Sequence, residues 1–187
     1  MFKRKHFDIL LARLQEHRRF IQVVAGPRQV GKSTMVKQVL RELGIPHLMV
    51  SAEAADDKKS VWINDVWQQA RQTMLFNKYS EFVIAIDEIH KIDNWSEAVK
   101  LEWDSDTYND VNIKVVVLGS SRLLVMDGLT ESLAGRFEMI EMYHWSFTEM
   151  HDAFGFTAEQ YVFYGGYPGG ASLVNNEKRW MKYVRCK

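Results

Sequence analysis

Gly26-Pro27-Arg28-Gln29-Val30-Gly31-Lys32-Ser33-Thr34 decides how the rest of the chain is read. It fits the spacing G-x-x-x-x-G-K-[ST], in which the glycines let a loop wrap closely around phosphates and the amides of the following helix point at them. In such a loop Lys32 reaches the β- and γ-phosphates, and the Ser33 hydroxyl is placed to ligate Mg²⁺. The flanks suit the motif. Phe20 to Ala25 is a short β-branched and aromatic run of the kind that forms a buried parallel strand. Thr34 to Leu43 carries Met35, Val36, Val39, Leu40 and Leu43 at helical intervals and stops at Gly44 and Pro46. Strand, loop and helix follow in that order, and together they imply a nucleoside triphosphate site.

Further along, His47 to Ser51 reads as a second strand, Glu53 to Lys59 as a polar loop and Val61 to Phe76 as a helix. Glu81 to Ile86 is a third strand running into Asp87-Glu88. Trp95 to about Trp103 is a helix with Asn94 or Ser96 near its cap, and Ile113 to Leu118 is a fourth strand closing at Gly119-Ser120-Ser121. Strands and helices that alternate, with strands apolar almost throughout, predict a parallel sheet covered on both faces. Beyond Gly119 the pattern changes. Short helices are expected from Leu123 to Ala134 around an Asp127-Gly128 turn, then a fifth strand from Phe137 to Met142. From Ser146 the chain reads as helices interrupted by Gly165-Gly166-Tyr167-Pro168-Gly169-Gly170, a turn-rich joint. Near the N-terminus, Phe7, Leu10, Leu11 and Leu14 share one face of an amphipathic helix from about Phe7 to His17.

Composition narrows the class. The chain has 187 residues, with 24 Lys plus Arg balancing 24 Asp plus Glu. That balance removes the simple electrostatic case for nucleic-acid binding or attachment to a membrane surface. The lone cysteine, Cys186, leaves no internal disulfide and no cysteine-rich metal site, and it suits a reducing interior, so the cytoplasm is the expected compartment. No uncharged stretch after the basic residues 3–6 resembles an export signal, and no apolar run is long enough to span a bilayer.

Asp87 and Glu88 form the second chemical feature. An acidic pair at the end of an apolar strand stands at the carboxyl edge of the sheet, where open α/β sheets place their ligands. Asp87 is expected to hold Mg²⁺, directly or through water, and Glu88 to orient and polarise the attacking water, which points to hydrolysis beyond binding. Ser120 and Ser121 end the next strand, where a hydroxyl either touches the γ-phosphate or lytic water or simply belongs to a turn. Arg136 is either an arginine finger, from its own chain or a neighbour's, or an ion-paired surface residue. His90 lacks a His or Cys partner at ligand spacing and is read as either solvated or supporting the acidic pair rather than metal-binding, while His144 and His151 are read as structural. Trp145 and Phe147 either flank a base or pack a joint, and burial statistics favour the joint.

In these residues the chain resembles the prokaryotic AAA+-like ATPases that join a P-loop domain to a C-terminal domain of unknown function. The matching pieces are the phosphate loop through Thr34, Ile86-Asp87-Glu88-Ile89-His90, Leu118-Gly119-Ser120-Ser121, Ser132-Leu133-Ala134-Gly135-Arg136 and Gly165-Gly166-Tyr167-Pro168-Gly169. They occur in family order from about residue 5 to residue 183. The resemblance implies an α/β P-loop NTPase fold of three layers, with a five-stranded parallel sheet in the order 5-1-4-3-2 and a small helical region after it. It implies ATP, not GTP, in keeping with the absence of an Asn/Thr-Lys-x-Asp sequence. It also places Ser120 at a sensor position and Arg136 at the arginine finger, which in trans requires a homo-oligomer. The expected division is an ATPase domain over 1–145 and a helical region over 146–187, the start of a C-terminal part that family members usually continue. The activity so implied is Mg²⁺-dependent ATP hydrolysis coupled to a conformational change. The alternatives are a slow regulatory switch read by a protein partner, a DNA-processing motor, or a small-molecule kinase.

Overall fold

The computed structural model describes residues 2–55, 59–120, 132–174 and 176–185. Five strands, β1 (Ile21–Ala25), β2 (His47–Ser51), β3 (Phe82–Asp87), β4 (Ile113–Gly119) and β5 (Phe137–Glu141), form one sheet in the order β2-β3-β4-β1-β5. Every pairing is parallel, and read from the other side the order is the expected 5-1-4-3-2. Helices α1 (His6–Gln15), α2 (Lys32–Leu43), α3 (Val61–Asn77) and α4 (Trp95–Tyr108) cover its two faces.

The period-two geometry of a strand sorts the apolar run of β4 between two cores. Ile113, Val115 and Val117 join Trp67, Trp95, Trp103 and the inner faces of α3 and α4. Val116 and Leu118 join Phe7, Leu10 and Leu14 of α1 and Val36, Val39 and Leu40 of α2. A strand buried on both sides has no polar face, which is why β1, β3 and β4 read as continuous apolar runs. Gln22 and Lys114 break those runs, and both are buried with partners. Lys114 Nζ donates to the Leu14 carbonyl at 2.7 Å and to Glu81 at 3.0 Å, and Gln22 meets Arg13 and Glu138.

Several element ends shift from expectation, most of them by a residue or two, and the largest shift has a physical reason. Helix α4 continues past Trp103 to Tyr108 because its inner face turns polar: Glu102 and Asp106 receive Arg71 of α3, and Asp106 also receives the indole N–H of Trp67 at 3.0 Å. Apolar periodicity cannot reveal a helix face held by ion pairs. Asn94 takes the cap position of α4 in a left-handed conformation without capping through its side chain, and Ser96 lies buried inside the first turn. Strand β3 runs one residue further than expected, so Asp87 is itself a strand residue.

After β5 the chain forms α5 (Phe147–Phe154), α6 (Ala158–Tyr164), a 3₁₀ segment (Pro168–Leu173) and α7 (Glu177–Arg185). Their small core of Trp145, Met150 and Phe156 also takes in Phe2 from before α1. The expected joint is a close backbone crossing, since a Cβ on Gly166 would lie 2.1 Å from the Trp145 carbonyl oxygen. The expected helices and turn between Leu123 and Glu131, together with Ser121 and Cys186, lie outside the described residues.

Candidate functional site

The loop from Gly26 to Gly31 leaves the carboxyl end of β1 and enters α2 directly at Lys32. Its shape depends on two glycines. A Cβ on Gly26 would lie 2.0 Å from the carbonyl oxygen of Met142, whose N–H is bonded to Ala25 at the end of β1. Gly31 has φ of 91°, a left-handed conformation that a side chain disfavours. Gln29 is also left-handed. The cap position of α2 is Gly31, which has no side-chain oxygen to offer, so the N–H groups of its first turn can face an anion at the positive end of the helix dipole.

Lys32 is only 5 % exposed. Its ammonium donates to the carbonyls of Gly26 at 2.9 Å and Pro27 at 2.8 Å, so the lysine is held inside the loop it serves. Burial lowers its pKa below the ordinary lysine value, and the nearby carboxylates of Glu88 and Asp87 oppose that shift. The loop and the acidic pair come together here. Ser33 Oγ donates to Asp87 Oδ2 at 2.5 Å, while Asp87 Oδ1 accepts the Glu88 N–H at 3.0 Å. Strands β1 and β3 are not neighbours; β4 lies between them, and Ser120 follows its last residue, Gly119.

Ser120 Oγ donates to Glu88 Oε2 at 2.8 Å. Glu88 has φ of 53°, rare for a residue with a side chain, and this conformation turns the chain just beyond the strand end. His90 Nε2 lies 3.4 Å from the same carboxylate oxygen, and His90 Nδ1 is buried without a partner among the described residues. Burial lowers the His90 pKa below the ordinary histidine value, and the Glu88 carboxylate opposes that shift. Among the described residues no three His, Cys, Asp or Glu side chains converge as a metal cage. A hydroxyl and one carboxylate, both hard oxygen donors, instead suit Mg²⁺, which commonly completes its shell with phosphates and water. The donor set fits the ion.

A cleft of about 870 Å³ opens over Gly31, Lys32, Ser33 and Glu88, with Arg28, Glu53 and Lys91 on its wall. The Glu53–Lys91 ion pair across that wall spans 2.5 Å. A second, more apolar cavity of about 390 Å³ shares Gly31 and Thr34 with the cleft and is walled by Phe2, Met35, Trp145 and Phe154.

Arg136 is not brought to this place. It precedes β5, its carbonyl accepts the Ile21 N–H at the start of β1, and its guanidinium grips Asp104 at 2.8 and 3.1 Å. The five residues of β1 separate it from Gly26 by roughly 16 Å at 3.3 Å per residue. The sequence leaves open whether an arginine finger at Arg136 serves its own chain or a neighbour's, and here Arg136 stands at the opposite edge of the sheet from its own chain's phosphate loop. His144 packs edge-on against Tyr167, and His151 pairs with the Phe156 carbonyl at 3.0 Å.

Several residues reach the loop without a motif to announce them. Arg4 and Trp145 both donate to the Val30 carbonyl, and the Tyr183 hydroxyl donates to Gln29 Oε1 at 3.2 Å. Pro168 and Gly169 line the cleft. The available signal was the glycine density of residues 165–170, which marks close backbone approach as well as a turn: a Cβ on Gly169 would lie 2.6 Å from the Tyr183 hydroxyl.

A family model described as an AAA domain matches residues 18–151. A protein of Haemophilus influenzae described as uncharacterized is 26 % identical over 166 residues, which cover 80 % of this chain and 40 % of that protein. Among solved structures, the RuvB Holliday junction branch migration motor of Thermotoga maritima superposes with a TM-score of 0.54 at 20 % identity, covering 79 % of this chain and 46 % of that one. A second RuvB structure from the same organism gives 0.53, also at 20 % identity, with the same coverage of 79 % and 46 %. The chain thus spans less than half the length of each of these proteins, and the likeness to RuvB is one of fold.

Proposed function

This chain belongs to the family of AAA domains, and from that premise we propose that it binds ATP with Mg²⁺ and hydrolyses it, in step with a rearrangement of the helical region after residue 145. The observation that carries the reading is the meeting of Ser33 with Asp87 at 2.5 Å, beside a Glu88 carboxylate held by Ser120. A hydroxyl at the start of the loop helix and a carboxylate at the end of β3 have no packing reason to share a proton at the mouth of a polar cleft. They do have a reason if an ion and a phosphate are to sit between them.

Each residue then has a task. The loop amides from Arg28 to Thr34 and the ammonium of Lys32 cradle the β- and γ-phosphates, Lys32 exchanging its loop carbonyls for phosphate oxygens. Ser33 and Asp87 hold Mg²⁺, which when bound neutralises charge on the phosphates. Glu88 orients a water in line with the γ-phosphate and draws off its proton, a role worth about 10²–10⁴ in rate. Ser120 competes for that carboxylate, so the glutamate works only when the hydroxyl yields or turns to the γ-phosphate. The apolar cavity beside Gly31 suits an aromatic base stacked among Phe2, Trp145 and Phe154.

Calorimetric titration with ATP, with and without Mg²⁺, tests binding, and phosphate release tests turnover. Glu88→Gln is expected to bind ATP as tightly as the parent chain and to release phosphate at least about a hundredfold more slowly. Undiminished release from that variant would remove Glu88 from the chemistry.

A further inference from the structure

We propose that Arg4 is a positioning residue for the phosphate loop, fixing the peptide between Val30 and Gly31 and tying its orientation to the placement of α5. The proposal rests on the nucleotide reading above and adds a device outside the loop's own sequence. Arg4 is 5 % exposed. Its Nε and Nη2 donate to the two carboxylate oxygens of Glu149 at 2.7 and 3.0 Å, and its Nη1 donates to the carbonyls of Val30 at 3.2 Å and Tyr143 at 3.1 Å. Trp145 Nε1 donates to the same Val30 carbonyl at 3.0 Å, and the guanidinium lies 5.2 Å from the Trp145 ring. One backbone oxygen inside the phosphate loop is thus gripped by two side chains from outside it.

The consequence follows from peptide geometry. In a trans peptide the C=O and the next N–H point in opposite directions, so holding the Val30 carbonyl toward Arg4 and Trp145 turns the Gly31 N–H the other way. Gly31 is a left-handed residue whose peptide could flip at small cost, so a grip from outside is what selects one orientation. Only a planar fork can serve a carboxylate with two nitrogens and a carbonyl with the third, which is why a lysine does not substitute.

The other end of the grip is an element terminus. Glu149 is the third residue of α5 and completes a capping box with Ser146, whose N–H meets Glu149 Oε2 at 2.9 Å. The carboxylate that seats Arg4 is therefore the one that starts α5. A shift of α5 releases Arg4 and with it the loop carbonyl. By the reciprocity of linkage, a ligand that needs the Gly31 N–H in place also favours the present seat of α5.

The test uses Arg4→Lys, Glu149→Gln and Trp145→Phe in the full chain, each checked for folding by circular dichroism. Calorimetric ATP affinity is compared with hydrogen exchange of the α5 amides, with and without Mg²⁺-ATP. The parent chain is expected to bind ATP and to show slower exchange over residues 147–154 when it does. Arg4→Lys and Glu149→Gln are each expected to weaken ATP affinity about tenfold and to lose that slowing, while Trp145→Phe, which removes one of two donors, loses less. If Arg4→Lys does not fold, Glu149→Gln decides the matter. Folded variants that bind ATP as the parent does, with α5 equally slowed, overturn the device alone. A parent chain that binds no ATP overturns the nucleotide reading and the device with it.

Discussion

Lys32 states the tension of the site in one side chain. An ammonium almost wholly removed from water and held by two loop carbonyls carries a desolvation cost, and its lowered pKa registers that cost. Nothing in the core requires a cation there. Lys32→Met keeps the volume and removes the charge, so its melting temperature is expected to stay within about 3 °C of the parent or to rise. Its ATP affinity is expected to fall at least about a hundredfold, in keeping with the loss of a charge-assisted contact to phosphate. Thermal melts and calorimetry check both halves, and a variant that melts far lower would make Lys32 a structural residue. Sequence legibility at this scale follows from locality. Lys32, Ser33, Asp87 and Glu88 belong to short patterns whose chemistry can be read without coordinates. Arg4 and Trp145 act on Val30 across more than 100 residues of chain in the case of Trp145, and no periodicity or spacing encodes such a contact.

Among the elements, α5 is the one whose stability titrates. Burial disfavours ionisation of Glu149, but hydrogen bonds from Arg4 and from the Ser146 backbone more than offset it and hold its pKa below the ordinary glutamate value of 4.5. A carboxyl with a depressed folded-state pKa contributes stability that is complete above 4.5 and fades as pH falls through the lower folded value. Glu149→Gln is accordingly expected to lower stability at pH 7 by about 1–3 kcal/mol, read as a lower melting temperature, because it leaves Arg4 buried without its counter-charge. The gap between variant and parent closes as pH drops below 4.5. A gap independent of pH from 7 to 3 would mean that the charge of Glu149 is not what holds the helix. Ser146→Ala, which removes the cap hydroxyl, is expected to cost about 1 kcal/mol at pH 7, and because that hydroxyl also donates to Glu149 part of that cost fades as pH drops below 4.5. The elements also differ in how far they were readable. Strands β1, β3 and β4 were legible because both faces are apolar. The last turn of α4 was not, because Arg71 and Trp67 supply through ion pairs and a hydrogen bond what apolar periodicity supplies elsewhere.

At the scale of the whole molecule, every group assigned to the nucleotide lies at the carboxyl edge of the sheet, and Arg136 lies at the amino edge, paired with Asp104 of α4. The motif order along the chain placed Arg136 after Ser120, but order in sequence says nothing about which edge a residue occupies. That depends on whether it precedes or follows its strand, and Arg136 precedes β5. A strand length separates the arginine from its own cleft, so a finger role for it would have to fall on another copy. This geometry makes the question one of concentration. If Arg136 completes a neighbour's site, phosphate release per chain rises with protein concentration as copies associate. Arg136→Ala then stays flat and, at the highest concentration, at least about tenfold slower, below the 10³–10⁵ that a fully engaged finger contributes. Its pair with Asp104 is largely solvent-exposed and worth about 0–1 kcal/mol, so the variant is expected to melt close to the parent and a loss of rate cannot be charged to unfolding. Equal rates for parent and variant at every concentration would leave Arg136 as a brace between β5 and α4, and the hydrolytic machinery complete within one chain.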